Sequence, residues 1–216
     1  MTDTILHPVL QTLGEKFKPL RPCGPCSLCC KLVPVDDPTT IGEKPAGAWC
    51  PHCTKPGCGI YATRPEPCIA WSCTWVLDPV LSKVPALEPR KCHVVIDPVC
   101  DEVVLTPHDG SGPVALEVVQ FWCDPVYPAA WRAPVVRKAM EYYAKRFKRP
   151  TLIRYDNRAG FLVRPPSLSA TGGWEESEQA ATISREVMQR RIMEVEHDSE
   201  SAGADVRQRP RRTGEE

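Results

Sequence analysis

The chain has 216 residues, a length that suits one medium-sized domain or two small ones, and 42% of the residues are hydrophobic, enough for a core. Lys and Arg together number 27, as do Asp and Glu, so the formal net charge of zero excludes a global attraction to nucleic acid or to an anionic membrane. The longest nearly uncharged run, residues 110–123, is interrupted by Gly112 and Pro113 and falls short of the about 20 apolar residues that span a bilayer. We therefore expect a soluble protein with no membrane partner.

Proline and cysteine are the unusual residues, with 24 prolines and 12 cysteines. Nine cysteines fall in one short stretch: Cys23, Cys26, Cys29, Cys30, Cys50, Cys53, Cys58, Cys68 and Cys73. The first 17 residues lack the basic, apolar and cleavage regions of a secretory signal, so we predict a cytoplasmic protein. In that reducing compartment, cysteine pairs at two-residue spacing are more typical of metal sites than of disulfides. An extracellular disulfide framework is the alternative.

The first cysteine cluster reads Cys23-Gly-Pro-Cys26-Ser-Leu-Cys29-Cys30. A CxxC spacing lets a short loop bring two sulfurs to one ion, and the Gly-Pro pair suits that turn. The neighbouring side chains of Cys29 and Cys30 point to opposite sides of an extended segment and do not easily share one tetrahedral ion. We infer that the adjacent pair serves two metals or one polynuclear centre.

The second cluster, residues 50–73, adds five thiols, which makes two tetrahedral sets and one spare thiol. Eight thiolates around two divalent ions would carry a charge of about −4. Arg64 can donate to the thiolates or, alternatively, cap a turn, and we expect Tyr61, Pro65 and Pro67 to wall and stiffen the loop. With nine thiols available, we assign His52 to a position outside the metal-ligand set.

The segment Cys50-Pro-His-Cys53 also matches the active site of oxidising thioredoxin-fold enzymes, in which a helix follows the first cysteine. Here Pro56, Gly57 and Gly59 oppose that helix. We therefore interpret Cys53 as a ligand or as the spare thiol.

The two motifs together resemble the YkgJ-type cysteine-cluster family, described as a zinc- or iron-chelating domain. The second motif reads Cys58-Gly-Ile60-Tyr61-Ala-Thr-Arg64-Pro65-Glu-Pro-Cys68, and the match covers residues 20–77. The resemblance implies zinc or iron as cofactor. The ligands that it implies are Cys23, Cys26, Cys29, Cys30, Cys58 and Cys68, with Cys50 and Cys73. The extra Cys53 departs from the family pattern.

Short strand patterns follow in chain order. Residues 92–96 and 103–105 flank turn residues and predict a hairpin, and residues 115–122 predict a strand. Pro134 and Pro150 bound the clearest helix, whose apolar stripe is Val136, Met140, Tyr143 and Phe147. Residues 151–155 and 161–163 predict a final hairpin.

These patterns predict an α+β protein with three regions. An irregular, Cys-rich metal-binding module spans residues 20–77, and a small antiparallel sheet with one main helix spans residues 78–166. Residues 167–216 are expected to hold an acidic helix, with Ile183 and Val187 one turn apart, and a disordered tail.

The second region shows no catalytic motif, and whether the protein is an enzyme stays open. Its scattered candidate ligands are expected to be packed or surface residues: Cys92, His93, Cys100, His108 and Cys123. Residues 131–164 hold ten basic residues against Glu141 and Asp156, a pattern also found in RNA-binding segments. We favour a solvated basic face with an acidic partner, which the acidic residues 174–200 could supply.

The leading hypothesis is a cytoplasmic metal-binding protein whose first module folds around zinc or iron, with a protein partner possible and nucleic acid not expected as a partner. An iron–sulfur electron-transfer or redox protein is the first alternative, since CxxCxxC resembles ferredoxin ligand runs. A zinc-stabilised nucleic-acid-binding protein is the second.

Overall fold

The fold was analysed in a computed structural model, which describes residues 19–21, 23–37, 42–54, 57–105, 114–157 and 160–180. The helices are α1 (Cys29–Leu32), α2 (Glu66–Ala70), α3 (Thr74–Leu77), α4 (Pro89–Cys92) and α5 (Pro134–Phe147). The strands are β1 (Val35–Asp37), β2 (Gly42–Lys44), β3 (Cys53–Thr54), β4 (Gly57–Cys58), β5 (Val94–Leu105), β6 (Val114–Cys123), β7 (Thr151–Arg154), β8 (Gly160–Arg164) and β9 (Glu175–Ala180). The protein is α+β, as the sequence predicts.

A five-stranded sheet with the order β5-β6-β7-β8-β9 forms the main layer. Its neighbours are antiparallel except β6 and β7, which are parallel in the register Val119↔Thr151. A parallel pair needs a long crossover connection, and α5 lies in the segment that joins these two strands. The sheet is therefore mixed, where the sequence pattern predicts an antiparallel one.

Helix α5 agrees with its predicted pattern at both ends. Pro134 occupies its first turn, and Lys148 closes it in the left-handed conformation with a φ of 57°. Val136, Met140 and Tyr143 of the predicted stripe are buried. Phe147 is 42% exposed, so the buried stripe ends one turn before the helix does.

The predicted hairpin between residues 92–96 and 103–105 is wrong. Residues 94–105 form one long strand, β5, and its register against β6 shifts between Ile96 and Cys100. The turn residues form this irregularity: Asp97 Oδ1 accepts a hydrogen bond from the Val99 N–H at 3.0 Å, and Gln120 donates to the Val99 carbonyl at 3.2 Å. An Asp-Pro pair can mark a bulge as well as a chain reversal.

The predictions of the strand at residues 115–122 and of the final hairpin are confirmed. Strand β6 covers the predicted residues 115–122, and β7 and β8 form the predicted final hairpin. Strand β9 was not predicted, because its residues are acidic and the sequence analysis assigns them to the acidic C-terminal region. The predicted helix around Ile183 and Val187 and the predicted tail lie outside the described residues.

One hydrophobic cluster joins the sheet, α5 and the short elements of the Cys-rich region. It contains Leu32 and Val76 from that region together with Phe121, Ile153 and Met140. All described residues belong to one compact unit, residues 1–182. No helix among them is long and apolar enough to cross a membrane.

Candidate metal centre

Eight of the nine clustered cysteines line a single cavity of about 270 Å³. They are Cys23, Cys26, Cys29, Cys30, Cys50, Cys58, Cys68 and Cys73. Tyr61 and Trp71 contribute aromatic side chains to the wall of the cavity, and Lys44 and Arg64 contribute positive charge. All twelve cysteines of the chain lie in the described ranges and carry free thiols. The three thiol-bearing loops, distant in sequence, therefore share one pocket.

The first loop is shaped by Gly24 and anchored by two leucines. Gly24 adopts a φ of 64°, a left-handed conformation that glycine reaches without strain. Leu28 and Leu32 are buried in the hydrophobic cluster and fix α1 against the sheet side of the molecule. Cys29 and Cys30 start this helix, so the leucines determine where the adjacent thiols lie.

The second loop is tied to the first through the backbone. The Cys50 N–H donates to the Cys30 carbonyl at 2.9 Å. Strands β3 and β4 then pair Cys53 directly opposite Cys58, and Gly57, the first residue of β4, takes a φ of 134°. The chain after Cys50 thus forms a small hairpin, as expected from a segment that opposes the helix of a thioredoxin-type site.

Cys53 is the ninth clustered cysteine, and it is not among the described residues that line the cavity. Its sulfur makes a weak contact with the Thr54 carbonyl at 3.8 Å, and hydrogen bonding to Cys30 places it beside the cavity thiols. Of the two interpretations of Cys53, ligand or spare thiol, its place outside the lining of the cavity favours the spare thiol.

Of the two roles considered for Arg64, the structure shows the turn cap. Its Nε donates to the Tyr61 carbonyl at 3.1 Å and its Nη1 to the Cys68 carbonyl at 3.2 Å, while the guanidinium stacks 3.9 Å from the Tyr61 ring. These bonds cap the turn that carries Cys68. The same positive charge acts to lower the pKa of Cys23 and Cys68, against the larger effect of burial.

Lys44 is a site residue that the sequence analysis missed. The residue is 4% exposed, and its ammonium donates to the carbonyls of Lys31, Pro45 and Ala48 at 3.2, 3.1 and 3.0 Å. Burial lowers the pKa of Lys44, and negative charge on Cys50 and Cys30 opposes that shift. No spacing or motif separates it from other lysines in the sequence.

The thiols differ strongly in acidity. Burial raises the pKa of Cys73 to about 12 and of Cys68 to about 11. Hydrogen bonding from Cys29 lowers the pKa of Cys30 to about 6, with a smaller contribution from the charges of Lys44 and Arg64. The metal-free cavity therefore holds one acidic thiol, Cys30, together with Cys68 and Cys73, which keep their protons at neutral pH.

The sulfurs surround the cavity without closing on a common point. Within the described ranges, no three His, Cys, Asp or Glu side chains form a ready-made ligand group for a metal ion. Metal–sulfur bonds of about 2.3 Å would require the wall to draw inward. Such an adjustment is typical of sites in which metal binding and folding are coupled.

The scattered candidates of the second region have other roles. Cys92 and Cys123 are buried, and the Cys92 thiol contacts the Val94 carbonyl at 3.4 Å. Cys100 accepts a hydrogen bond from Arg149 at 3.3 Å, and His93 stacks on Tyr127 with 3.6 Å between ring centroids. His108 lies outside the described residues.

Acidic side chains pair with much of the basic segment 131–164. Arg149 Nη2 lies 2.6 Å from Glu117 Oε2, and Arg132 Nη2 lies 2.6 Å from Oε2 of Glu176 on β9. Glu176 belongs to the acidic segment 174–200, so at least one residue of this segment pairs with the basic segment within the chain.

Comparison of the chain with known protein families, with curated proteins and with solved structures found no match. The resemblance to the YkgJ-type family accordingly rests on the two cysteine motifs alone.

Proposed function

We propose that the protein binds zinc or iron through the thiolates that line the cavity. The observation that carries this proposal is the gathering of eight cysteines from three loops around one pocket, with Lys44 and Arg64 beside them. Thiolates are the donors that zinc and iron–sulfur centres use, and their negative charge calls for nearby cations. The YkgJ-like motifs point to the same chemistry.

When bound, the metal would supply cross-links between loops that bury few apolar side chains of their own. The chain's own residues do the rest: Arg64 and Lys44 hold the loop backbones, and Leu28 and Leu32 fix the first thiol pair. Thiols that bind metal must stay reduced, and a cytoplasmic location fits that requirement.

An iron–sulfur protein is the second candidate, favoured by the size of the cavity. A volume of about 270 Å³ is much larger than one metal ion needs, and a cluster of several irons and sulfides would use the extra room. Metal content and colour separate the candidates. Iron with inorganic sulfide and visible absorption supports the cluster, and a colourless protein loaded with zinc excludes it.

The test compares metal content in matched variants of the full chain. Protein isolated without added metal is analysed for zinc, iron and sulfide, together with Cys58→Ser and Cys100→Ser. Cys58 lines the cavity, whereas Cys100 is a half-buried cysteine that contacts Arg149. We expect Cys58→Ser to contain less metal than the wild type and Cys100→Ser to contain as much. Wild-type protein that neither contains nor takes up zinc or iron would overturn the proposal.

A further inference from the structure

Four of the eight thiols also enclose a second and much smaller cavity. Cys23, Cys26, Cys29 and Cys73 line it together with Trp75, Val76 and Pro89. Its volume is about 10 Å³, close to the space of a single water-sized sphere. A cavity of that size accommodates one ion and excludes a polynuclear cluster.

Of the eight thiols that line the large cavity, these four are the ones in contact with the hydrophobic core. Cys73 is a buried member of the core cluster, 7% exposed, and Cys23, Cys26 and Cys29 pack against that cluster. Trp75 and Val76, which complete the small cavity, are buried as well. The lining of the small cavity and the packing against the core thus distinguish the same four of the eight cavity thiols.

The other four cavity thiols, Cys30, Cys50, Cys58 and Cys68, lie on the side where both cations are found. Lys44 reaches the carbonyl of Lys31, next to Cys30, and that of Ala48, two residues before Cys50. Arg64 binds the carbonyl of Cys68 itself. Two side-chain cations are therefore fixed to the backbone that carries these four thiols.

We propose that the cavity thiols form two separate four-thiol metal sites: a closed site of Cys23, Cys26, Cys29 and Cys73, and an exchangeable site of Cys30, Cys50, Cys58 and Cys68. This inference rests on the proposed metal binding. The peptide bond between Cys29 and Cys30 divides the sites, as expected from adjacent side chains that point to opposite sides. The closed site holds one ion against the core and retains it; the exchangeable site, on irregular loops, takes up and releases its metal.

The geometry explains why the two sites differ in exchange rate. Ligand loss from the closed site requires movement of Cys73 and of the packed core around Trp75. The exchangeable site is bounded by loops whose neighbouring side chains are open to solvent, with Trp49 54% and Ile69 60% exposed. A chelator can approach those loops without opening the core.

Zinc release from the full chain tests the division. Wild-type protein reconstituted with zinc is mixed with a chromogenic chelator, and the release is followed in time. We expect about two zinc ions per chain, released in one fast and one slow step of equal amplitude. Cys58→Ser and Cys68→Ser should each lose the fast step and keep the slow one. Cys100→Ser should behave as wild type.

Lys44→Gln gives a second readout that leaves every thiol in place. Loss of its charge should accelerate the fast step several-fold and leave the slow step unchanged, whereas Lys83→Gln, at an exposed lysine, should change neither. A single release step, or loss of all zinc in Cys58→Ser, would overturn the division while leaving metal binding intact. Failure of the wild type to bind zinc or iron would overturn the proposed function instead.

Discussion

Cys30 is a cavity thiol whose pKa lies below the ordinary value. Hydrogen bonding from Cys29 lowers its pKa to about 6, whereas burial raises the pKa of Cys68 to about 11. The thiolate is the reactive form of cysteine, so we expect iodoacetamide to modify Cys30 first in metal-free protein at about pH 7. Fragmentation of the labelled peptide by mass spectrometry distinguishes Cys30 from the adjacent Cys29.

A Cys29→Ala variant provides the control for that assignment, because it removes the hydrogen-bond donor but keeps the loop. Labelling of Cys30 should slow several-fold in the variant as its pKa rises toward the ordinary value of 9.0. Equal labelling rates for Cys30 and Cys68 in the wild type would contradict the acidity order of the cavity.

The protonated thiols make metal binding dependent on pH. Burial holds the pKa of Cys73 at about 12, so this thiol keeps its proton at neutral pH until a metal displaces it. Each such ligand releases one proton on binding, and zinc affinity should therefore increase as the pH rises from about 6 to 8. Titration of metal-free protein with zinc in weak buffer measures the released protons. Zinc uptake without acidification would contradict the expected protonation of the thiols.

At the level of single residues, the sequence predicted which thiols lie together better than it predicted their surroundings. The spacing of the cysteines indicated two sets of four with one spare, and the structure brings eight thiols to the cavity with Cys53 beside it. Lys44 could not be predicted, because its role depends on three carbonyls that come together only in the folded chain. A lysine in a short strand gives no sequence signal of that environment.

Between elements, Asp97 links the wall of the cavity to the sheet. The carboxylate is 6% exposed and accepts hydrogen bonds from the Trp71 indole at 3.0 Å and from the Trp122 indole at 3.1 Å. Trp71 lines the cavity, and Trp122 lies on β6. Asp97→Asn replaces one acceptor oxygen by a donor that faces an indole N–H. We expect a loss of about 1–3 kcal/mol in the free energy of unfolding, measured by urea denaturation.

The pH dependence of the free energy of unfolding, compared between the wild type and Asp97→Asn, tests the raised pKa of Asp97. Burial raises the pKa of Asp97 above its ordinary value of 3.8, so the folded protein binds this proton more tightly than the unfolded chain does. The stabilising contribution is therefore present below pH 3.8 and is lost as the pH rises through the raised pKa. The wild type should show this loss and Asp97→Asn should not. Parallel stability profiles for the two proteins would contradict the shift.

The same residue explains why the first hairpin was predicted wrongly. Asp97 and Pro98 have the composition of a turn, but the side chain of Asp97 bonds to the Val99 amide and to two tryptophans, which keeps β5 running across the irregularity. Helix α5 and the hairpin of β7 and β8 were predictable because their apolar periodicity and turn residues agree locally. Strand β9 depends on pairing with β8, including Val163↔Glu176, which no local pattern of acidic residues reveals.

Across the whole molecule, the Cys-rich loops and the sheet share a core. Leu32 and Val76 from the predicted metal module belong to the same hydrophobic cluster as Phe121 and Ile153 of the sheet. The loops contribute few other buried apolar side chains, so metal–thiolate bonds are expected to supply much of their order. The sheet also has buried side chains outside that cluster, among them Val118 and Leu152 with no exposed surface.

Metal removal should therefore loosen one part of the molecule and weaken the whole. After complete chelation, we expect new cleavage sites for a protease within residues 20–77, while peptides from β5 to β8 stay protected. The melting temperature should fall as well, because Leu32 and Val76 leave the shared core when the loops open. Limited proteolysis with mass spectrometry locates the cuts, and calorimetry gives the melting temperature.

Rebinding of zinc provides the control, since it should restore both protection and melting temperature if the chelator acted through the metal. A Leu32→Ala variant separates the two contributions: it removes core packing but leaves every thiol, and we expect it to lower the melting temperature of metal-loaded protein without creating the new cuts. An unchanged cleavage pattern after verified removal of all metal would contradict a structural role for the metal. The loops would then be held by the shared core and by the bonds of Lys44 and Arg64 alone.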